Sequence, residues 1–158
     1  MNIFTFAMQK EVQSEAMYRK LAKAAVNKGM KTIFTMLADS EKQHYETVVK
    51  MEKDEKAELS ECKVLDDSRE IMSKFRAEKL KFKLDSSQIE IYKEAQEIEK
   101  VSEQFYREKA RETKYDHHKK LLLSLAEEEF NHFTILEEII EMISSPESRL
   151  ESAEFNKR

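Results

Sequence analysis

Residues 37–48 read LADSEKQHYETV, and residues 125–136 read LAEEEFNHFTIL. Each stretch carries a histidine three positions after a glutamate, Glu41–His44 and Glu129–His132, which on a helix means one face, one turn apart. One such pair says little in a chain that is 38% charged. The echo says more. A second pair of stretches, EVQSEAMYRKLA from Glu11 and EKVSEQFYREKA from Glu99, repeats at the same spacing. Both displacements are 88 residues, from 37 to 125 and from 11 to 99. Two separate matches at one displacement mark a duplicated helical hairpin.

Composition agrees with helices. The 158 residues hold one Gly and one Pro, too few for a turn-rich β protein, and are dominated by good helix formers. The class is all-α, and the length suits one domain over 1–158. A net charge of −4, from 28 basic and 32 acidic residues, gives no electrostatic case for a nucleic-acid or membrane partner. No apolar run reaches the ~18 residues of a membrane span, and no signal-peptide pattern opens the sequence, so a cytoplasmic location is expected. The single cysteine, Cys62, leaves no intramolecular disulfide and no four-cysteine metal site.

Four amphipathic segments follow from the apolar spacing. The first runs from about Ile3 to Val26, with Phe4, Ala7, Met8, Glu11, Ser14, Tyr18, Leu21 and Ala25 on one stripe. Gly29 reads as a left-handed stop after it. The second runs from about Lys31 to Lys53, with Ile33, Leu37, Glu41, His44, Val48 and Met51 together. The third, about Ser87 to Glu112, aligns Ile91, Ala95, Ile98, Glu99, Ser102 and Tyr106. The fourth opens near Asp116 as N-cap and aligns Leu122, Leu125, Glu129, His132, Leu136, Ile139 and Ile143, stopping around Ser144 ahead of Pro146. Hairpins of about 3–53 and 87–143 are therefore joined by a crossover, 54–87, and followed by a polar tail, 144–158. A helix of ~20 residues is about 30 Å long, so the crossover can span a bundle. The expected fold is a four-helix bundle, up-down-down-up, with an extra helix over Asp66 to Leu84 packing through Ile71, Met72, Phe75 and Leu80.

Each hairpin thus offers one Glu on its first helix and a Glu–His pair on its second, all interrupting an apolar stripe. Four unpartnered carboxylates in one core cost several kcal/mol for each ionised group, or are forced to protonate. Two divalent cations remove that cost. The oxygen-rich set with one imidazole per ion suits iron or manganese better than zinc.

A lone Glu, then ExxH, then a lone Glu, then ExxH on four helices resembles the ferritin-like di-iron carboxylate proteins, and most nearly the rubrerythrin-type domain. Tyr18 and Tyr106, seven residues after Glu11 and Glu99, fit the ExxxxxxY pattern of that group, and the likeness covers about residues 3–143. It implies a di-iron site in which Glu41 and Glu129 bridge, Glu11 and Glu99 are terminal, and His44 and His132 each bind one metal. Two departures stand out. Rubrerythrins usually add a four-cysteine rubredoxin centre, which Cys62 alone cannot build. They also carry a metal-binding Glu at the position of Ser102. Lys42 occupies the place of the haem-ligating Met of bacterioferritins, so no haem is expected.

Tyr18 and Tyr106 read equally well as packing aromatics or as donors to the ligand carboxylates. Glu15 and Glu103 share the ligand face and are candidate supports, although on charged helices they fit a rim better. His117 and His118 lie away from the ligand level and read as exposed. The basic run Lys74, Arg76, Lys79, Lys81 and Lys83 reads as a solvated face, with docking of an acidic electron donor as the sharper alternative.

The resemblance implies a redox protein, of oxidoreductase type, in which a di-iron centre reduces dioxygen or hydrogen peroxide with electrons from a separate donor protein. Two further classes stay open, a ferroxidase or iron-storage protein and a metal-binding bundle acting as an interaction module. A homo-oligomer stays open as well.

Overall fold

Asn2 starts the first helix, its side-chain oxygen accepting the Thr5 amide at 2.8 Å, the N-cap arrangement that satisfies an otherwise orphan donor. The structure, a computed structural model, describes residues 2–59, 62–77 and 86–144. Among these are five helices and no strand: α1 (Ile3–Ala24), α2 (Lys28–Glu52), α3 (Val64–Ala77), α4 (Ile89–Glu112) and α5 (Asp116–Ser144). A 3₁₀ turn, Ser86–Gln88, leads into α4. α1 packs along α2 and α4 along α5, while α3 lies across both α2 and α5. The fold is a ferritin-like helical bundle with a helix-bearing crossover between two hairpins.

The bundle interior is layered. At one end Leu21, Ile33, Phe34, Leu37, Leu136 and Ile139 form an apolar plug, and Met72 and Phe75 of α3 pack into it. At the other end a second plug is built from Ala7, Val48, Met51, Leu122 and Leu125. Between them lie the buried polar side chains Glu11, Glu41, His44, Glu99, Glu129 and His132, each no more than 2% exposed. Arg69 ties the crossover helix to α5 through Glu138, with Nη2–Oε1 at 2.9 Å; exposed pairs of this kind contribute under about 1 kcal/mol. The apolar contacts of Met72 and Phe75 hold α3.

Several local expectations change. Gly29 is not a left-handed stop: it sits in the first turn of α2 without a positive φ. Asn27 caps that turn instead, accepting the Gly29 and Met30 amides at 2.8 and 3.1 Å. Gly29 is there for space, since a Cβ would lie 2.0 Å from Phe75 Cζ. The left-handed residue is Asp54, φ 56°, which ends α2. The Glu55 amide reaches the Lys50 carbonyl and the Asp54 amide the Met51 carbonyl, a Schellman closure. Asp116 is the first helical residue of α5, where its charge faces the positive end of the helix dipole. On α4 the buried stripe is Tyr92, Ala95, Gln96, Glu99, Ser102 and Tyr106, and Ile91 and Ile98 are exposed. They sit one position off the 92–95–99 register, and the Gln96 amide fills the place by bonding Glu137 at 2.6 Å. The extra helix spans Val64–Ala77; Leu80, Lys79, Lys81, Lys83 and the 145–158 tail lie outside the described residues. No helix among the described residues is long and apolar enough to cross a membrane.

Candidate metal centre

The 3.6-residue period of each helix aims one turn of polar side chains at the bundle axis. α1 contributes Glu11, α2 Glu41 and His44, α4 Glu99, and α5 Glu129 and His132. They converge in two overlapping groups, Glu11–Glu41–His44–Glu129 and Glu41–Glu99–Glu129–His132. Within each group one ligand atom per residue lies within 4.8 Å of all the others. Glu41 and Glu129 belong to both. The imidazole rings of His44 and His132 stack nearly parallel, 5.6 Å between centroids and 8° between planes.

Contacts inside this layer are close but poorly closed. His44 Nδ1 lies 2.6 Å from Glu129 Oε1 and 3.5 Å from Glu11 Oε2. His132 Nδ1 mirrors it, 2.6 Å from Glu41 Oε1 and 3.5 Å from Glu99 Oε1. His132 Nδ1 and Glu41 Oε1 nevertheless form no hydrogen bond, because their alignment is wrong. Eight buried side-chain polar atoms among the described residues lack a partner, and six belong to this layer, one of them that nitrogen and five of them carboxylate oxygens. Buried polar atoms are nearly always satisfied, so such a concentration at one level is a specific signature. Ligand atoms that converge on a common point a few Å away look like this. The donor set fits two divalent ions, with oxygen-rich surroundings and one imidazole nitrogen each.

Electrostatics carry the same message. Burial, then the charges of neighbouring Glu11 and Glu99, push the Glu41 carboxyl well above its ordinary 4.5. Burial and the charges of Glu41, Glu99 and Glu11 do the same to Glu129. Burial also works to raise Glu11, but the charge and hydrogen bond of His44 outweigh it and hold that carboxyl below the ordinary value. Glu99 behaves likewise through bonding from Glu129 and the charge of His132. Burial opposes a charge on His44, yet Glu11 and Glu129 carry it well above 6.5. His132 goes up to about 10 against burial, through Glu99 and contact with Cys62. Without metal these directions favour protons on Glu41, Glu129, His44 and His132 and ionised Glu11 and Glu99, an arrangement of zero net charge. Exchanging four protons for two divalent ions leaves it neutral.

The partners behind the ligands come from the opposite hairpin. Tyr106 Oη on α4 donates to Glu11 Oε1 at 2.6 Å, and Tyr18 Oη on α1 donates to Glu99 Oε1 at 2.5 Å. Burial, followed by the adjacent carboxylates, lifts both phenols well above 10, so each keeps its proton as donor. His44 Nε2 bonds Glu128 Oε1 at 3.0 Å, and His132 Nε2 bonds Ser40 Oγ at 2.9 Å. Glu128 and Ser40 do not stand out as site residues in the sequence. They sit immediately before Glu129 and Glu41, and their 88-residue spacing is the signal that could have found them. Glu15 and Glu103 stand outside the layer, paired with Arg19 at 3.0 Å and Arg107 at 2.7 Å. His117 is exposed and His118 packs against Phe4 and Tyr115, both away from the centre. Ser102 and Ser14, also 88 residues apart, are buried.

Comparison with protein families matches residues 2–143 to the rubrerythrin family. No match to a curated protein or to a solved structure was found.

Proposed function

The chain belongs to the rubrerythrin family, and on that premise we propose that it is a di-iron redox protein reducing hydrogen peroxide or dioxygen. The observation that carries this reading is the pair of ligand groups sharing Glu41 and Glu129 in a sealed core. In it Glu11 and His44 would hold one metal, Glu99 and His132 the other, and Glu41 and Glu129 would serve both. Two adjacent irons, when bound, supply two electrons to one O–O bond. The protein's own part is positional. Tyr106 and Tyr18 fix the carboxylates of Glu11 and Glu99 and keep a proton at Oη beside the centre. The outer N–H groups of His44 and His132 are held by Glu128 and Ser40, so Nδ1 of each ring faces the cluster. The two apolar plugs exclude water from both ends. Electrons reach the centre from outside residues 1–158, because Cys62 alone cannot build a four-cysteine iron site.

Anaerobic loading of the metal-free protein with Fe(II), followed by rapid mixing with peroxide or dioxygen, tests the proposal through the ferric absorbance. Stoichiometric oxidation that is faster with peroxide is the expected result. Dioxygen as the faster oxidant would reassign the protein to oxidase or ferroxidase chemistry. Absence of bound iron would leave an interaction module.

A further inference from the structure

The two metal positions are built from mirrored ligands, but their surroundings differ, most plainly behind the histidines. Tyr106 on Glu11 matches Tyr18 on Glu99, and the inner nitrogen of each histidine lies 2.6 Å from a mirrored carboxylate oxygen, Glu129 for His44 and Glu41 for His132. Behind the histidines the match breaks. Position 128 is a glutamate and position 40, its counterpart 88 residues earlier, is a serine. His44 Nε2 meets a carboxylate oxygen at 3.0 Å, whereas His132 Nε2 meets a hydroxyl at 2.9 Å. That hydroxyl is shared, lying 3.9 Å from the thiol of the half-buried Cys62. Glu128 is itself 7% exposed and Ser40 3%, so neither contact is diluted by full solvation.

A hydrogen bond to an ionised acceptor is roughly twice as strong as one between neutral groups. Accepting the outer N–H through a carboxylate locks the ring and leaves the inner nitrogen a better donor to a metal. The added negative charge favours a bound cation too. A serine hydroxyl supplies neither charge nor a second oxygen, and its lone pairs are shared with a neighbouring thiol contact.

Resting on the metal-centre reading above, we infer that Glu128 and Ser40 are positioning residues that make the two metal positions unequal. The Glu11–His44 position fills first and tightly, and the Glu99–His132 position fills second. Partners behind ligating histidines typically change metal affinity by about 10–100-fold, and the two dissociation constants should differ by that factor.

The test is a Zn(II) titration of the metal-free full chain labelled with ¹⁵N-histidine, the rings assigned through His44→Gln and His132→Gln. At one Zn(II) per chain, the His44 Nδ1 resonance should move to its metal-bound position while His132 stays put. Chelator competition should give two constants about 10–100-fold apart. Glu128→Ser should bring them within about threefold, and Ser40→Asp should tighten the second site alone. Glu128→Asp should restore part of the gap that Glu128→Ser removes, which a general packing defect would not do. Simultaneous movement of both rings in the wild type overturns the inference while leaving a dinuclear site intact. An unchanged ratio in Glu128→Ser overturns it as well, since repulsion between two cations would then explain the spread. If no ring moves and the metal-free chain takes up no Fe(II) under anaerobic loading either, the metal reading itself fails.

Discussion

Replacing Glu41 by glutamine in the metal-free protein should make it more stable, and the size of the effect can be worked from the site. Burial and the neighbouring carboxylates keep a proton on Glu41 far above its ordinary 4.5. Between 4.5 and that raised value, the folded state binds a proton that the unfolded state has released, so Glu41's contribution to stability falls as pH rises. Each pH unit inside that window costs about 1.4 kcal/mol. Glutamine keeps the shape and an acceptor oxygen but never ionises. Glu41→Gln should therefore gain about 1.4 kcal/mol for each pH unit of that window, each such step raising Tm by about 3–6 °C. The gain should shrink toward zero below pH 4.5, where Glu41 becomes protonated in both states. Urea unfolding of the metal-free wild type and variant at pH 4.5, 5.5 and 7 reads this directly. A loss of stability at pH 7, or a gain that does not vary with pH, would refute the electrostatic account. The same substitution should weaken binding of both metals, because Glu41 belongs to both groups.

Metal uptake should release protons. All four raised groups, Glu41, Glu129, His44 and His132, hold theirs in the metal-free state, so affinity for a divalent ion should rise with pH from 5 to 8. Calorimetry in buffers of different ionisation enthalpy counts the protons, and a release near zero would contradict the scheme. Tyr106→Phe removes the hydroxyl donated to Glu11 and should weaken metal binding about 10-fold without changing helicity. Gly29→Ala forces a methyl into the Phe75 ring and should cost about 1–3 kcal/mol, with Phe75→Leu restoring most of it. Asp54→Gly relieves a left-handed residue and should add about 1 kcal/mol; denaturant midpoints measure both.

The six ligand-type residues and their helices were legible because two independent signals met on them. The ExxH spacing placed each pair on one face, and the 88-residue repeat tied the pairs to Glu11 and Glu99. Burial of Tyr18 and Tyr106 was legible from the stripe, while their role as donors stood as only one of two equal readings. An aromatic on a core face packs whether or not its hydroxyl finds a carboxylate 81 or 95 residues away. Glu128 was hidden for a related reason. In the run Glu127–Glu128–Glu129, nothing local separates an exposed acid from one turned toward a histidine on another helix. Gly29 misled because glycine serves two purposes, left-handed backbone and absence of a Cβ, and only the position of Phe75 shows which applies. On α4, Ile91 and Ile98 drew the stripe one residue aside, since apolarity outranked the polar but buried Gln96 in the pattern.

The central claim is that the bundle binds two metals that share Glu41 and Glu129. Iron bound per chain, measured after anaerobic Fe(II) loading and gel filtration of wild type and of the Glu41→Ala/Glu129→Ala double variant, tests it most directly. The account predicts about two irons per wild-type chain and almost none in the double variant. Two irons retained by the double variant, or a wild type that binds fewer than about 0.2, would contradict it.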